Sequence, residues 1–325
     1  MRTPLTLIDA VDAMVAQKHT VGYKYEAEEA ILDRFVAFTH CQFPGLETVT
    51  DASANAWIEA AQKRAVTPST LRGLTSPVRH LAQWLILHDV AAYVLPTGVL
   101  RRPAAYIPYI YSDAELAAFF TQTDHCHYCS DVPLRHLVMP VLFRTIYACG
   151  LRCSEARLLR VGDVDLAAGV LLIRDAKGGK DRQIPVSETL RIRLAHYHAQ
   201  FDWMGHEWFF PGRRGLPLRL SNVYNNFRRF LWQARISHGG RGHGPRVHDF
   251  RHSFAVHNLR KWFATGKDVG AMLPILQTYM GHYTIADTAY YLRLTAELYP
   301  HIVSRLDETI GDVVPSLKGE SHYGN

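Results

Sequence analysis

The chain has 325 residues, 48% of them hydrophobic and 20% charged, with a net charge of +6. That length suits two domains of ordinary size, and the residue balance is that of a folded soluble protein rather than a disordered or membrane-embedded one. Five cysteines, an odd number in a long chain, argue against a disulfide framework. The opening "MRTPLTLIDAVDAMVAQ" carries Asp9 and Asp12 where a signal peptide needs an apolar core, and runs such as "LVMPVLF" are far too short to span a bilayer. The expected compartment is therefore cytoplasmic, with no membrane partner.

Apolar residues recur at three and four through "LTLIDAVDAMVAQ", "EAEEAILDRFVAF", "SANAWIEAAQKRA" and "STLRGLTSPVRHLAQWLILH". The first hundred residues are thus predicted to be helical. The last of these segments carries Arg72, Arg79 and His80 beside its apolar positions. "PTGVLRRPAAYIPY", with Pro96, Pro103, Pro108 and the pair Arg101–Arg102, reads as an extended linker. The predicted organisation is a helical domain over 1–100, a linker over 101–110, and a second domain with a polar tail over 111–325. "YSDAELAAFF" restarts helix with a capping box, Ser112 and Glu115.

"HCHYC" pairs Cys126 and Cys129 at knuckle spacing between His125 and His127. A closed zinc site needs four ligands. Cys149 and Cys153 are spaced like one helix turn rather than a second knuckle, so a solvated loop without metal is expected. "GVLLIRDAKGGKDRQIPVS" holds two β-type runs, 170–174 and 182–186, around a glycine tip, the pattern of a hairpin. "SNVYNNFRRFLWQARI" reads as a helix capped by Ser221, with Val223, Phe227, Phe230 and Ala234 buried. Asn225, Arg228 and Arg229 lie off that stripe, placed to meet phosphates. In "TIADTAYYLRLTA", Thr284 and Asp287 form a capping box, and Ile285, Ala289, Leu292 and Ala296 form the expected buried stripe. Tyr290 and Tyr291 both fall off it. "YPHIVSRLDETI" is a short helical pattern before the tail. The predicted fold class is mainly α with one small antiparallel β-sheet.

Charge is unevenly spread. Between Gly212 and Trp262 there are eleven Arg and Lys residues against one acid, Asp249, interleaved with Tyr224, Phe227, Phe230 and Trp232. That is the footprint of a polyanion partner.

Four motifs stand in order: "GLRCSE" (150–155), "AKGGKDRQIPV" (176–186), "HDFRH" (248–252), and "GH" (281–282) with Tyr291 nine residues after His282. Each is weak alone; a helical tyrosine, for instance, is usually packing. Together they resemble the tyrosine recombinases, the phage-integrase family, over roughly residues 106–300. The resemblance implies a two-domain, C-shaped clamp around duplex DNA, made of a helical core-binding domain and a catalytic domain. It implies Arg152, Lys177, His248, Arg251, His282 and Tyr291 as catalytic residues, with Lys180 the alternative to Lys177. Tyr291 would attack a scissile phosphate, leaving a 3′-phosphotyrosine and a free 5′-hydroxyl, so the bond energy is kept without metal, ATP or any cofactor. Arg152 and Arg251 would clamp the nonbridging oxygens, each contributing about 3 kcal/mol to lowering the barrier. Lys177 would protonate the leaving oxygen, His248 would assist proton transfer at the tyrosine, and His282 would bond the phosphate.

Arg72, Arg79, Arg228 and Arg229 are the expected DNA contacts. The implied assembly is a homo-oligomer, a synaptic tetramer on DNA that is a monomer or weak dimer when free, with room for accessory proteins and a nucleoid-associated location. The alternatives are a type IB topoisomerase-like strand nicking-closing enzyme and a non-catalytic DNA-binding member of the same fold. A zinc hydrolase lacks any HExxH-type spacing. Two departures from the family pattern stand out. Arg293 falls where many members carry histidine. The stretch between Arg251 and His282 is long, and its extra "KWFATGKDVGAMLPILQTY" reads as an enlarged loop.

Overall fold

The structure is a computed structural model that describes residues 5–64, 66–98, 100, 106–174, 181–203, 205–240 and 244–298. Its contacts divide the chain into two compact units, Met1–Tyr106 and Ile107–Asn325.

The first unit is built of α1 (Leu7–Thr20), α2 (Glu26–Gln42), α3 (Asp51–Lys63) and α4 (Pro68–Leu87). Their starts are written locally. Thr6 and Asp9 cap α1 reciprocally, Thr50 and Ser53 do the same for α3, and Thr67 caps α4 with Pro68 just inside. Each helix turns one apolar face inward. Leu7, Ala10, Met14, Leu32, Phe35, Val78, Leu81 and Leu85 meet in one core, with Trp57 edge-on to Phe35. Arg79 donates to the Leu95 and Pro96 carbonyls at 2.6 and 3.3 Å, and Arg72 to the Thr97 carbonyl at 3.5 Å. Both arginines therefore brace the chain that follows α4.

The second unit contains α5 (Asp113–Asp124), α6 (Arg135–Ala148), α7 (Cys153–Arg157), α8 (Glu188–His198), α9 (Leu220–Gln233), α10 (Asp249–Ala264), α11 (Val269–Met280) and α12 (Ile285–Leu298). Between α7 and α8 lies a sheet of β1 (Val164–Asp165), β2 (Val170–Ile173) and β3 (Arg182–Pro185), antiparallel in that order. Leu171 pairs with Ile184 and Ile173 with Arg182. Leu171, Ile173 and Ile184 face the core while Gln183 faces out, the alternation a one-sided sheet requires. The hairpin tip, with Lys177 and Lys180, lies outside the described residues. An aromatic cluster of Phe119, Phe143, Phe227 and Phe250 fills the centre, and Tyr111 stacks on Phe250 at 4.8 Å. The Ser112–Glu115 capping box opens α5 as expected.

Three local expectations need correction. Arg219 is the N-cap of α9, which puts Ser221 inside the helix and Ala234 at its half-buried C-cap. Val223, Phe227 and Phe230 are buried as predicted. The long stretch before His282 is no loop. It forms the last turns of α10 and then α11, which opens on the Asp268 cap and buries Val269, Leu273, Leu276 and Met280. Gly266, Gly270 and Pro274 disguise that helix in the sequence, yet the apolar spacing holds through the proline.

The third correction concerns α12. Its capping box is present, but Ile285 is 48% exposed and the buried face carries Thr288, Tyr291, Leu292 and Thr295. Threonine is buried here because its hydroxyl is satisfied: Thr288 pairs with His282, and Thr295 donates to the Tyr291 carbonyl at 2.7 Å. Tyr291 therefore belongs to the buried face, while Tyr290 is 39% exposed.

All five cysteines are free. Among the described residues no three His, Cys, Asp or Glu side chains group as a metal site, and no helix is long and apolar enough to cross a membrane.

Candidate active site

The site begins at a turn. Gly150 has φ +57°, the left-handed region, and a Cβ there would lie 2.5 Å from the Phe254 ring. Only glycine fits on both counts. The turn delivers Arg152 to the N-cap of α7. There its backbone N–H donates to one Glu155 oxygen and its guanidinium to the other, both at 2.8 Å. Arg182 on β3 grips the same carboxylate with two bonds of 3.0 and 2.9 Å. Burial alone would raise the Glu155 pKa, but Arg182 and then Arg152 outweigh it and hold the group down at about 2.

Arg182 also donates to the Tyr279 carbonyl at 3.0 Å and passes under Gly281, whose missing Cβ would meet its guanidinium at 2.9 Å. The glycine of the "GH" pair is thus a packing requirement. Gly150→Ala is expected to lower the melting temperature by several degrees. It adds about 1–2 kcal/mol of left-handed strain to overpacking of about 1–3 kcal/mol. A thermal melt within a degree of the parent would contradict that account.

Arg251, in the first turn of α10, is 1% exposed. Its two terminal nitrogens donate to the Gly150 and Met280 carbonyls, each at 2.7 Å. Those bonds tie the turn before α7 to the end of α11. Its guanidinium also hydrogen-bonds the Tyr291 hydroxyl, and with five N–H donors it has capacity beyond these bonds for a ligand. Burial, followed by repulsion from Arg152, pulls its pKa to about 10, which leaves it cationic at neutral pH. Arg152 reaches the Gly281 carbonyl at 3.4 Å. Two arginines therefore converge beside Tyr291, with Arg182 behind them and Glu155 paired to Arg152 and Arg182.

Tyr291 is 3% exposed. Its hydroxyl lies 3.0 Å from Nδ1 of His252, and its ring lies parallel to that of His282, with centroids 5.8 Å apart. Nδ1 of His282 is held by the Thr288 hydroxyl at 2.8 Å. His248 sits edge-on to His252 at 4.8 Å. Burial pushes the Tyr291 phenol up to about 12, partly opposed by Arg251 and Arg152.

Sequence reasoning placed Arg152, His248, Arg251, His282 and Tyr291 in one site, and the fold brings all five together. Lys177 lies outside the described residues. Arg228 and Arg229 are exposed on α9, with Arg228 over the Tyr224 ring. Four participants were not singled out beforehand: Glu155, Arg182, His252 and Thr288. Glu155, Arg182 and His252 stood inside the quoted motifs. The β3 register is what brings Arg182 to Glu155.

The three imidazoles titrate low. His248 is held at about 4, His252 at about 3 and His282 at about 4. Burial is the main cause in each, with repulsion from Arg251 next for His248 and His282 and from His248 next for His252. Below their ordinary value of 6.5 the unfolded chain binds more protons than the folded one, so stability drains as pH falls from about 6.5 toward 3. Glu155 extends the loss, because its contribution is complete above 4.5 and disappears as pH falls through about 2. Melting temperature at fixed ionic strength should therefore decline steadily below pH 6.5, and a flat profile down to pH 4.5 would contradict the cluster's electrostatics.

Comparison with known proteins gives consistent matches. The model of the phage integrase family matches residues 121–297. The chain is 30% identical to y4rB, a provisionally named integrase/recombinase of Sinorhizobium fredii, over 93% of this chain and 97% of that relative. It is 30% identical to the tyrosine recombinase XerC of Rhodospirillum centenum over 89% of this chain and 80% of that relative. Two solved structures share the fold at low identity. The XerH site-specific recombinase bound to palindromic difH substrate has a TM-score of 0.61 at 17% identity, covering 86% of this chain and 78% of that one. The Tn1549 transposon integrase in complex with transposon right end DNA has a TM-score of 0.61 at 14% identity, covering 90% and 99%.

Proposed function

We propose, because this chain belongs to the phage integrase family of tyrosine recombinases, that it is a site-specific DNA recombinase using Tyr291 as its nucleophile. Members of that family are DNA breaking-rejoining enzymes. The observation that carries the residue assignment is the buried Tyr291 hydroxyl, hydrogen-bonded to an imidazole and within the field of the Arg251 and Arg152 guanidiniums. A phenol has little reason to be buried among two cations and three imidazoles unless an anion is to join it.

In this reading Tyr291 attacks the phosphate to form a 3′-phosphotyrosine, and the phosphoryl oxygens are held by Arg152 and Arg251. Lys177 protonates the departing 5′-oxygen, and His248 and His282 complete the hydrogen bonding around the phosphate. The 5′-hydroxyl of another strand reverses the step. The helical domain over 1–100 and the catalytic domain from 111 onward both engage duplex DNA, and two cut sites are brought together in a tetramer. The work is done on chromosomal or mobile-element DNA, in the cytoplasm at the nucleoid. Relatives and structural neighbours that are integrases and recombinases support this reading over a nicking-closing topoisomerase.

The test is a nicked suicide duplex carrying the end of the protein's own element. An SDS-resistant protein–DNA adduct is expected. Tight binding without any adduct would favour a non-catalytic DNA-binding protein instead. Arg228 and Arg229 are proposed phosphate contacts. Replacing both with Ala should weaken binding uniformly across sequences and reduce the slope of log K against log salt by about 2. An unchanged slope would remove α9 from the DNA interface.

A further inference from the structure

We propose that His252 is the group that takes the proton from Tyr291 when the phenol attacks, and returns it when the strand is rejoined. The inference rests on the recombinase reading above. It goes further by assigning the nucleophile's base to a residue outside the expected catalytic set.

The geometry separates three candidate imidazoles. Only for His252 is a hydrogen bond to the Tyr291 hydroxyl observed, Nδ1 to Oη at 3.0 Å. The rings of His282 and Tyr291 lie nearly parallel, 16° apart, so the His282 nitrogens lie in a plane alongside the phenol rather than pointing at its oxygen. Its Nδ1 is also committed to Thr288. His248 presents its ring edge-on to His252 and follows Arg246 at the entry to α10. Tyr291 is 3% exposed, so bulk water has little access to its proton.

A base must be neutral before it accepts. Burial sees to that first, and the groups facing His252 add to it: His248, then Arg251 and Arg246 from its own segment, and His282 all disfavour the imidazolium. A phosphodiester seated on Arg251 and Arg152 brings a negative charge into the same pocket, so the imidazolium becomes tolerable in the complex where it is not in the free protein. Accepting through Nδ1 requires the Nε2–H tautomer.

The step balances. The Oη–H proton passes to His252 as the Oη–P bond forms. The P–O5′ bond breaks, and the leaving oxygen takes a proton from the general acid. On rejoining, the phenol leaves phosphorus and recovers its proton from His252.

The experiment uses the full chain and the suicide duplex. His252→Asn places an amide near the Nδ1 position, able to hydrogen-bond the phenol but not to take its proton. Single-turnover adduct formation is expected to slow about 100-fold, with DNA binding and melting temperature unchanged. Placing 2,3,5-trifluorotyrosine at position 291 supplies a phenol acidic enough to ionise without help and should recover most of that loss. A 5′-bridging phosphorothiolate, which eases leaving-group departure alone, should not. The proposal is overturned if His252→Asn reacts at the parental rate, if the fluorinated phenol gives no recovery, or if the phosphorothiolate does. If Asn unfolds the chain, the unsubstituted protein decides. There the fluorinated phenol should move the acid limb of the rate–pH profile from the imidazole's ionisation to its own, and a limb that does not move overturns the assignment. A parental chain that forms no Tyr291 adduct at all would instead sink the recombinase reading itself.

Discussion

Tyr291→Phe is expected to abolish the covalent adduct, by roughly 10⁴-fold or more, while Tyr290→Phe retains it. The two residues are neighbours in sequence but sit in different surroundings. Tyr290 is 39% exposed, whereas Tyr291 is 3% exposed and hydrogen-bonded to His252. The Phe ring at 291 keeps the stack on His282 and the packing of α12 against α10, so folding loses the hydroxyl's hydrogen bonds to His252 and Arg251, about 1 kcal/mol each. Chemistry loses the only atom that bonds to phosphorus. The measurement is SDS-resistant adduct on the suicide duplex, with melting temperature and DNA affinity as controls. An adduct that survived Tyr291→Phe but vanished with Tyr290→Phe would reverse the assignment.

Why the sequence points to one of the two tyrosines, yet misreads the helix that holds them, is a matter of what each inference depends on. The spacing from His282 to Tyr291 is a property of the chain and survives folding unchanged. The buried face of α12 depends on what other elements offer to it. Thr288 and Thr295 become interior residues only because His282 and a backbone carbonyl receive their hydroxyls. Counting aliphatic residues could not reveal that. The same limit hid α11, where two glycines and a proline look like loop while tertiary packing of Val269, Leu273, Leu276 and Met280 carries the helix.

Glu155 and Arg182 are 27 residues apart, and their pairing needs the β2–β3 register to swing the β3 strand against α7. Capping boxes at Ser112 and Thr284, by contrast, were legible because both partners lie within one turn. Pairings set by local spacing were readable. The scaffold of arginines and carboxylate that orients the site is long-range and had to be seen.

Arg251→Lys tests how much that scaffold contributes, because it keeps the charge and removes the fork. The guanidinium bridges the Gly150 and Met280 carbonyls at 2.7 Å each while also hydrogen-bonding the Tyr291 hydroxyl. A lysine ammonium is a point donor and cannot span both carbonyls and a phosphate at once. Leaving one buried carbonyl unsatisfied costs about 1–3 kcal/mol, so the melting temperature should fall by several degrees. Cleavage should fall further, by about 10²–10³-fold, since the donor aimed at the charged transition state is displaced as well as weakened. The two losses are separable. Adduct formation measured at saturating DNA and well below the melting transition reports only the second. If that rate matched the parent while stability dropped, Arg251 would be a tie between two turns and not a ligand for phosphate. If both fell, the bonds that close the fold around α10 would be the same ones that aim its charge. Arg251 would then join folding to chemistry through one planar group, which a merely positive side chain cannot replace.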